Sequence, residues 1–124
     1  MGMQTTLPPL TVSARDARRF VAEALHQNGR ATHADVAVLL VGELVTNAVL
    51  HARTEVVVGV SVTPEAVRIE VLDTSRVVPV SRRFGVEAST GRGLLLVEEL
   101  SDAWGTDVGP QGKTVWFELT EKTA

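Results

Sequence analysis

A chain of 124 residues, 44% hydrophobic and 22% charged, has the size and make-up of one globular domain. Its 15 acidic and 12 basic residues leave a net charge of −3, which argues against sequence-independent binding of nucleic acid. The absence of cysteine excludes disulfide frameworks, zinc ribbons, thiol nucleophiles and iron–sulfur clusters. Met1–Leu10 lacks a basic segment leading into an apolar stretch, so no secretory signal is read. The most apolar run, Val36–Leu50, is interrupted by Glu43 and Asn47 and reads as too short and too polar to span a bilayer. The expectation is a single cytoplasmic domain over 1–124, with no membrane and no direct nucleic-acid partner.

In chain order, the segment 1–12 is interrupted by Pro8 and Pro9 and reads as an extended arm or edge strand. Ser13 is placed to cap a first helix. In that helix Ala17, Phe20, Val21, Ala24 and Leu25 form one apolar stripe, and Asn28-Gly29 ends it. A second helix opens at Thr32 or His33 and runs to about His51; it is apolar nearly all round, as a central buried helix is. Glu55–Thr63 and Ala66–Asp73 read as a hairpin turned at Pro64-Glu65, with Val67, Ile69 and Val71 inward and Arg68 and Glu70 outward. The stretch 76–90 has no clean period and reads as a long loop. Gly91-Arg92-Gly93 opens a third helix to about Leu100, and two short strands, Ala103–Val108 and Lys113–Thr120, flank a turn at 109–112. The order is not that of a doubly wound fold. It predicts an α+β domain: a two-layer α/β sandwich with a mostly antiparallel mixed sheet and about three helices on one face.

Four features carry chemistry. Glu43, Asn47 and His51 recur every four residues on the second helix and so share a face; that face either serves a site or simply reaches solvent. Asp73 ends an otherwise apolar strand register, where it can accept a hydrogen bond from a ligand amine or close an Asx-turn. Gly91 and Gly93 at a loop-to-helix junction let backbone approach an anion such as phosphate, or act as a hinge, without matching a P-loop or a dinucleotide fingerprint. In Gly112-Lys113-Thr114-Val115-Trp116-Phe117-Glu118-Leu119, alternation puts Val115, Phe117 and Leu119 on one face and Thr114 and Trp116 on the other. Thr114 either meets a ligand or is an ordinary β-branched strand residue.

Together and in this order, Glu43-Leu-Val-Thr-Asn47-Ala-Val-Leu-His51, Val-Leu-Asp73, Gly91-Arg-Gly93-Leu and Gly-Lys-Thr114 resemble the Bergerat ATP-binding fold of the gyrase, chaperone, histidine-kinase and mismatch-repair (GHKL) superfamily. Within it the chain is similar to the small single-domain anti-sigma-factor serine kinases and related bacterial ATP-binding regulators, over about 13–120. The resemblance implies that Asn47 holds Mg²⁺ against the phosphates of ATP and that Glu43 is the general base. It implies that Asp73 takes the adenine amino group with Thr114 completing the contact, directly or through water. Gly91, Arg92 and Gly93 then serve the phosphates, and 76–90 is a lid. The usual glycine two residues after the aspartate is replaced, the run being Asp73-Thr74-Ser75-Arg76; Pro79 fits the form seen in small relatives.

The function implied is a serine/threonine protein kinase acting on a STAS-domain antagonist protein and sequestering a sigma factor. The alternative is a non-catalytic module that binds ATP, or has lost it, and regulates a partner by sequestration. Pairing into a homodimer through the N-terminal arm is a further expectation. Arg76, Arg82, Arg83 and Arg92 gather in and beside the lid, either solvated or facing phosphate. His51 is read as a packing or capping residue, and Trp104 and Trp116 as packing residues.

Overall fold

The computed structural model describes residues 2–74 and 88–121, without the side chains of 88–92. Five strands, β1 (Gly2–Leu7), β2 (Val56–Val62), β3 (Ala66–Asp73), β4 (Ala103–Gly109) and β5 (Gly112–Thr120), form one sheet in the order β1-β2-β3-β5-β4. Every one of these pairings is antiparallel. The N-terminal segment is thus an edge strand laid along β2, with Met3 opposite Val60 and Leu7 opposite Val56.

Alternation decides which face of the sheet is covered. Val56, Val58 and Val60 of β2, Val67, Ile69 and Val71 of β3, and Phe117 and Leu119 of β5 are all buried in one core. Three helices lie on that face: α1 (Val12–Gln27), α2 (Ala34–Asn47) and α3 (Ala88–Leu100). They contribute Ala17, Val21 and Leu25, then Leu40, Val41, Leu44 and Val45, then Val97. The two-layer α+β sandwich is the architecture read from the sequence.

Local chemistry places the helix ends. The hydroxyl of Ser13 does not cap α1 from outside; it lies inside the first turn and donates to the Pro8 carbonyl at 2.6 Å, while Thr11 takes the N-cap position. The Pro8 carbonyl, which also accepts from Leu10 N–H at 2.8 Å, takes the hydroxyl that the sequence assigns to capping. At the other end, Arg30 N–H donates to the Leu25 carbonyl and Gly29 N–H to the His26 carbonyl, the paired closure of a Schellman turn.

A 3-10 turn over Ala31–His33 leads into α2, and a π-helical turn over Ala48–Ala52 follows it, ended by Arg53 at φ 59°. The continuous helical stretch Ala31–Ala52 has 22 residues and a mean hydropathy of 1.5, long and apolar enough to cross a membrane by length and composition alone. The helical stretch is longer than the apolar run 36–50 within it. Half of the stretch is buried inside the domain, where α2 packs against α1, α3 and β3. An all-round apolar helix is what such a central position needs.

Among the described residues the opposite face of the sheet carries no helix. There the Arg68 guanidinium donates to Glu70 at 2.8 Å and to Glu118 at 3.1 Å and lies 4.1 Å from the centre of the Trp116 ring. Partial burial opposes its charge, but the two carboxylates outweigh that and raise its pKa above the ordinary arginine value.

β4 and β5 are joined by a two-residue turn, with Gly109 opposite Gly112. Gly112 sits at φ +137°, and a Cβ there would meet the Asp73 carbonyl oxygen at 2.0 Å. The atoms that this Cβ would meet are backbone atoms of Asp73 and Thr74, which cannot move aside without opening the β3–β5 ladder. Gly112→Ala is therefore expected to destabilise the fold by about 3 kcal/mol or more. A thermal melt checks this, with a fall on the order of 10 °C expected.

Candidate functional site

The site is built where the C-terminal end of β3 meets the start of β5, and where α2 meets α3. Asp73 closes β3 on the helix-covered face and is only 3% exposed. Its cross-strand partner in β5 is Lys113, whose Nζ lies 3.7 Å from Asp73 Oδ2. That separation is longer than a hydrogen bond, so the pair attracts as charges. The chain leaving β3 is tied down at once: the Thr74 N–H donates to the Thr54 hydroxyl at 3.2 Å, ahead of β2.

Glu43 and Asn47 stand one turn apart on α2, both half-buried. α3 crosses α2 at Gly93, which is buried. A Cβ at Gly93 would lie 2.6 Å from Asn47 Nδ2 and 3.6 Å from Glu43 Cβ. The missing side chain is what lets the two helices close over both polar residues. Glu43 and Asn47 present oxygen donors, the ligand class that Mg²⁺ takes. Among the described residues no group of three or more His, Cys, Asp or Glu side chains converges to hold a metal ion. A cation held here would need further ligands beyond these two side chains.

Other sequence-predicted residues fall elsewhere. The register sets Thr114 opposite Leu72, one position off the Asp73–Lys113 pair, so its side chain is on the helix-free face with Trp116 and Glu118. The β5 residue directly opposite Asp73 is Lys113, with Thr114 one position further along the strand. Sequence reasoning missed Lys113 although the signal was present, since the alternation that turns Val115, Phe117 and Leu119 inward also turns position 113 inward.

His51 leaves the face of Glu43 and Asn47 because the π turn over Ala48–Ala52 breaks the 100° step on which that alignment depends, and it is exposed. Gly91 and Gly93 do not open α3, which begins at Ala88. They lie within its first two turns, and Gly93 serves the contact with α2 instead. The side chain of Arg92 lies outside the described residues, as do Arg76, Arg82, Arg83 and the expected lid, of which only 88–90 are placed, as the start of α3.

No curated protein matches the chain. Among solved structures it is similar to the RsbU and RsbW domains of Rv1364c from Mycobacterium tuberculosis, at 22% identity and a TM-score of 0.73, over 96% of this chain and 31% of that one. It is also similar to the histidine kinase domain of a blue-light activated histidine kinase from Erythrobacter litoralis, at 23% identity and a TM-score of 0.56, over 86% of this chain and 59% of that one. The chain therefore spans less than two-thirds of either neighbour, and at these identities the likeness is one of fold. The model of the histidine kinase-like ATPase domain matches residues 7–119, nearly the whole sequence, and the chain belongs to that family.

Proposed function

We propose that this chain binds ATP with Mg²⁺ and uses it as a serine/threonine protein kinase, phosphorylating a STAS-type antagonist and holding a sigma factor. The observation that carries the reading is the closure of α3 on α2 at Gly93, which sets Asn47 and Glu43 together under a side-chain-free surface. Membership of the histidine kinase-like ATPase family supports nucleotide binding, and the likeness to a structure containing an RsbW domain supports the regulatory role.

In this reading Asp73 accepts a hydrogen bond from the 6-amino group of adenine, and its burial at the strand end keeps competing water away. Asn47 would hold the cation through its side-chain oxygen, and when bound the magnesium neutralises charge on the phosphates. Glu43 takes the proton of a serine or threonine hydroxyl on the protein substrate. That oxygen bonds to the γ-phosphorus as the bond to the β–γ bridging oxygen breaks, leaving ADP.

Two substitutions separate binding from transfer. Glu43→Ala is expected to slow phosphoryl transfer to the antagonist by about 10²–10⁴-fold while ATP affinity holds within roughly threefold. Asn47→Ala is expected to abolish the gain in ATP affinity that Mg²⁺ provides. Isothermal titration with and without Mg²⁺ and a radiolabel transfer assay read both. Transfer at the wild-type rate by the Glu43 variant would remove that residue as base, and ATP binding with no transfer by wild type would favour sequestration without catalysis.

Gly93→Ala tests the closure itself. Alanine favours a helix interior over glycine by about 1 kcal/mol, and the atom its Cβ meets is the movable end of Asn47. The variant is expected to melt no lower than wild type yet bind Mg²⁺–ATP at least tenfold more weakly. Unchanged Mg²⁺–ATP affinity would show that the Asn47 amide has no part in the site.

A further inference from the structure

We propose that Lys113 is a base-reading residue: its ammonium donates to ring N1 of a bound adenine while Asp73 accepts from the adjacent 6-amino group. The proposal rests on the nucleotide reading above and extends it to a residue that neither the motifs nor the family match assigned.

The β3–β5 register makes Lys113 the direct cross-strand neighbour of Asp73, so both side chains project from the same face of the sheet. Lys113 is held there, its side chain 20% exposed, with Nζ 3.7 Å from Asp73 Oδ2. A carboxylate can only accept and an ammonium can only donate. The Watson–Crick edge of adenine presents the complementary pair side by side, a donor at the 6-amino group and an acceptor at N1. Asp73 alone satisfies half of that edge and would leave the N1 lone pair against an anion. Lys113 removes the conflict and supplies the second bond. Because Nζ is beyond hydrogen-bond distance of Oδ2, a base can engage both groups without first breaking a hydrogen bond between them.

Thr114 cannot play this part from the helix-free face, and the Lys113 side chain is the one that β5 delivers to Asp73.

The test is a double-mutant cycle between protein and ligand, read by titration calorimetry in Mg²⁺. ATP is compared with 1-deaza-ATP, in which a C–H replaces N1, on wild type and on Lys113→Met. Wild type is expected to bind 1-deaza-ATP about 10- to 100-fold more weakly than ATP, the worth of a hydrogen bond to a charged group. K113M is expected to bind the two within threefold of each other. A preference for ATP that persists undiminished in K113M overturns the proposal, as does wild type indifferent to N1. Tighter ATP binding by K113M would make Lys113 a plug over Asp73 and also overturns it. Should K113M not fold, the wild-type comparison and K113R decide: both must keep the preference for N1. Binding of neither nucleotide by wild type overturns the nucleotide reading itself, and this proposal with it, and so is distinct from the other outcomes.

Discussion

The pairing of β3 with β5 sets Val67, Ile69 and Val71 against Leu119, Phe117 and Val115, and the same alternation continues to Asp73 against Lys113 at the end of the ladder. A slip of one residue would send that whole set to the helix-free face, exchanging the valine-rich core for Arg68, Glu70, Trp116 and Glu118. The apolar residues therefore enforce the position of the two charged ones. Asp73 and Lys113 need no stabilising contribution of their own to be brought together, because the burial of their neighbours fixes where they stand. Gly112 completes the arrangement by letting β5 begin hard against the carbonyl of Asp73.

The same logic holds on the helical layer. α2 is buried along most of its circumference, with Leu40, Val41, Leu44 and Val45 in the core. Glu43 and Asn47 are left on the sector facing α3, where α3 offers a glycine rather than a side chain. Two polar groups on a buried helix cost stability unless a partner or solvent reaches them. The absence of a side chain at Gly93 is what lets α3 approach the Asn47 amide this closely.

Much of this was legible in the sequence because it rests on periodicity. The hairpin of β2 and β3, the apolar stripe of α1, the all-round apolarity of α2 and the 109–112 turn follow from residue spacing that tertiary contacts do not override. The readings that differ are those where a residue has more than one use. Ser13 is a good cap by type, but the Pro8 carbonyl is nearer to its hydroxyl. Glycine reads as a helix opener, whereas Gly93 is spent on a helix–helix contact inside α3. His51 fits an α-helical face only while the turn stays α-helical, and no local residue type announces the widening after Asn47. Thr114 drew attention by its place in a family-like motif, although strand alternation alone already gave the inward position to Lys113.

That last case bears on what the Asp73–Lys113 pair is for. A buried ion pair is a poor device for stability, since the cost of removing two charges from water is recovered only with good hydrogen-bond geometry. At 3.7 Å this pair lacks such a bond, and apolar residues at both positions would continue the core that Val71 and Val115 begin. A carboxylate and an ammonium stand side by side here without a hydrogen bond between Nζ and Oδ2, on the face of the sheet covered by the layer in which Glu43 and Asn47 lie. The sheet supplies the rigid frame, and in the proposed reading the pair at its end meets a ligand that offers the complementary edge.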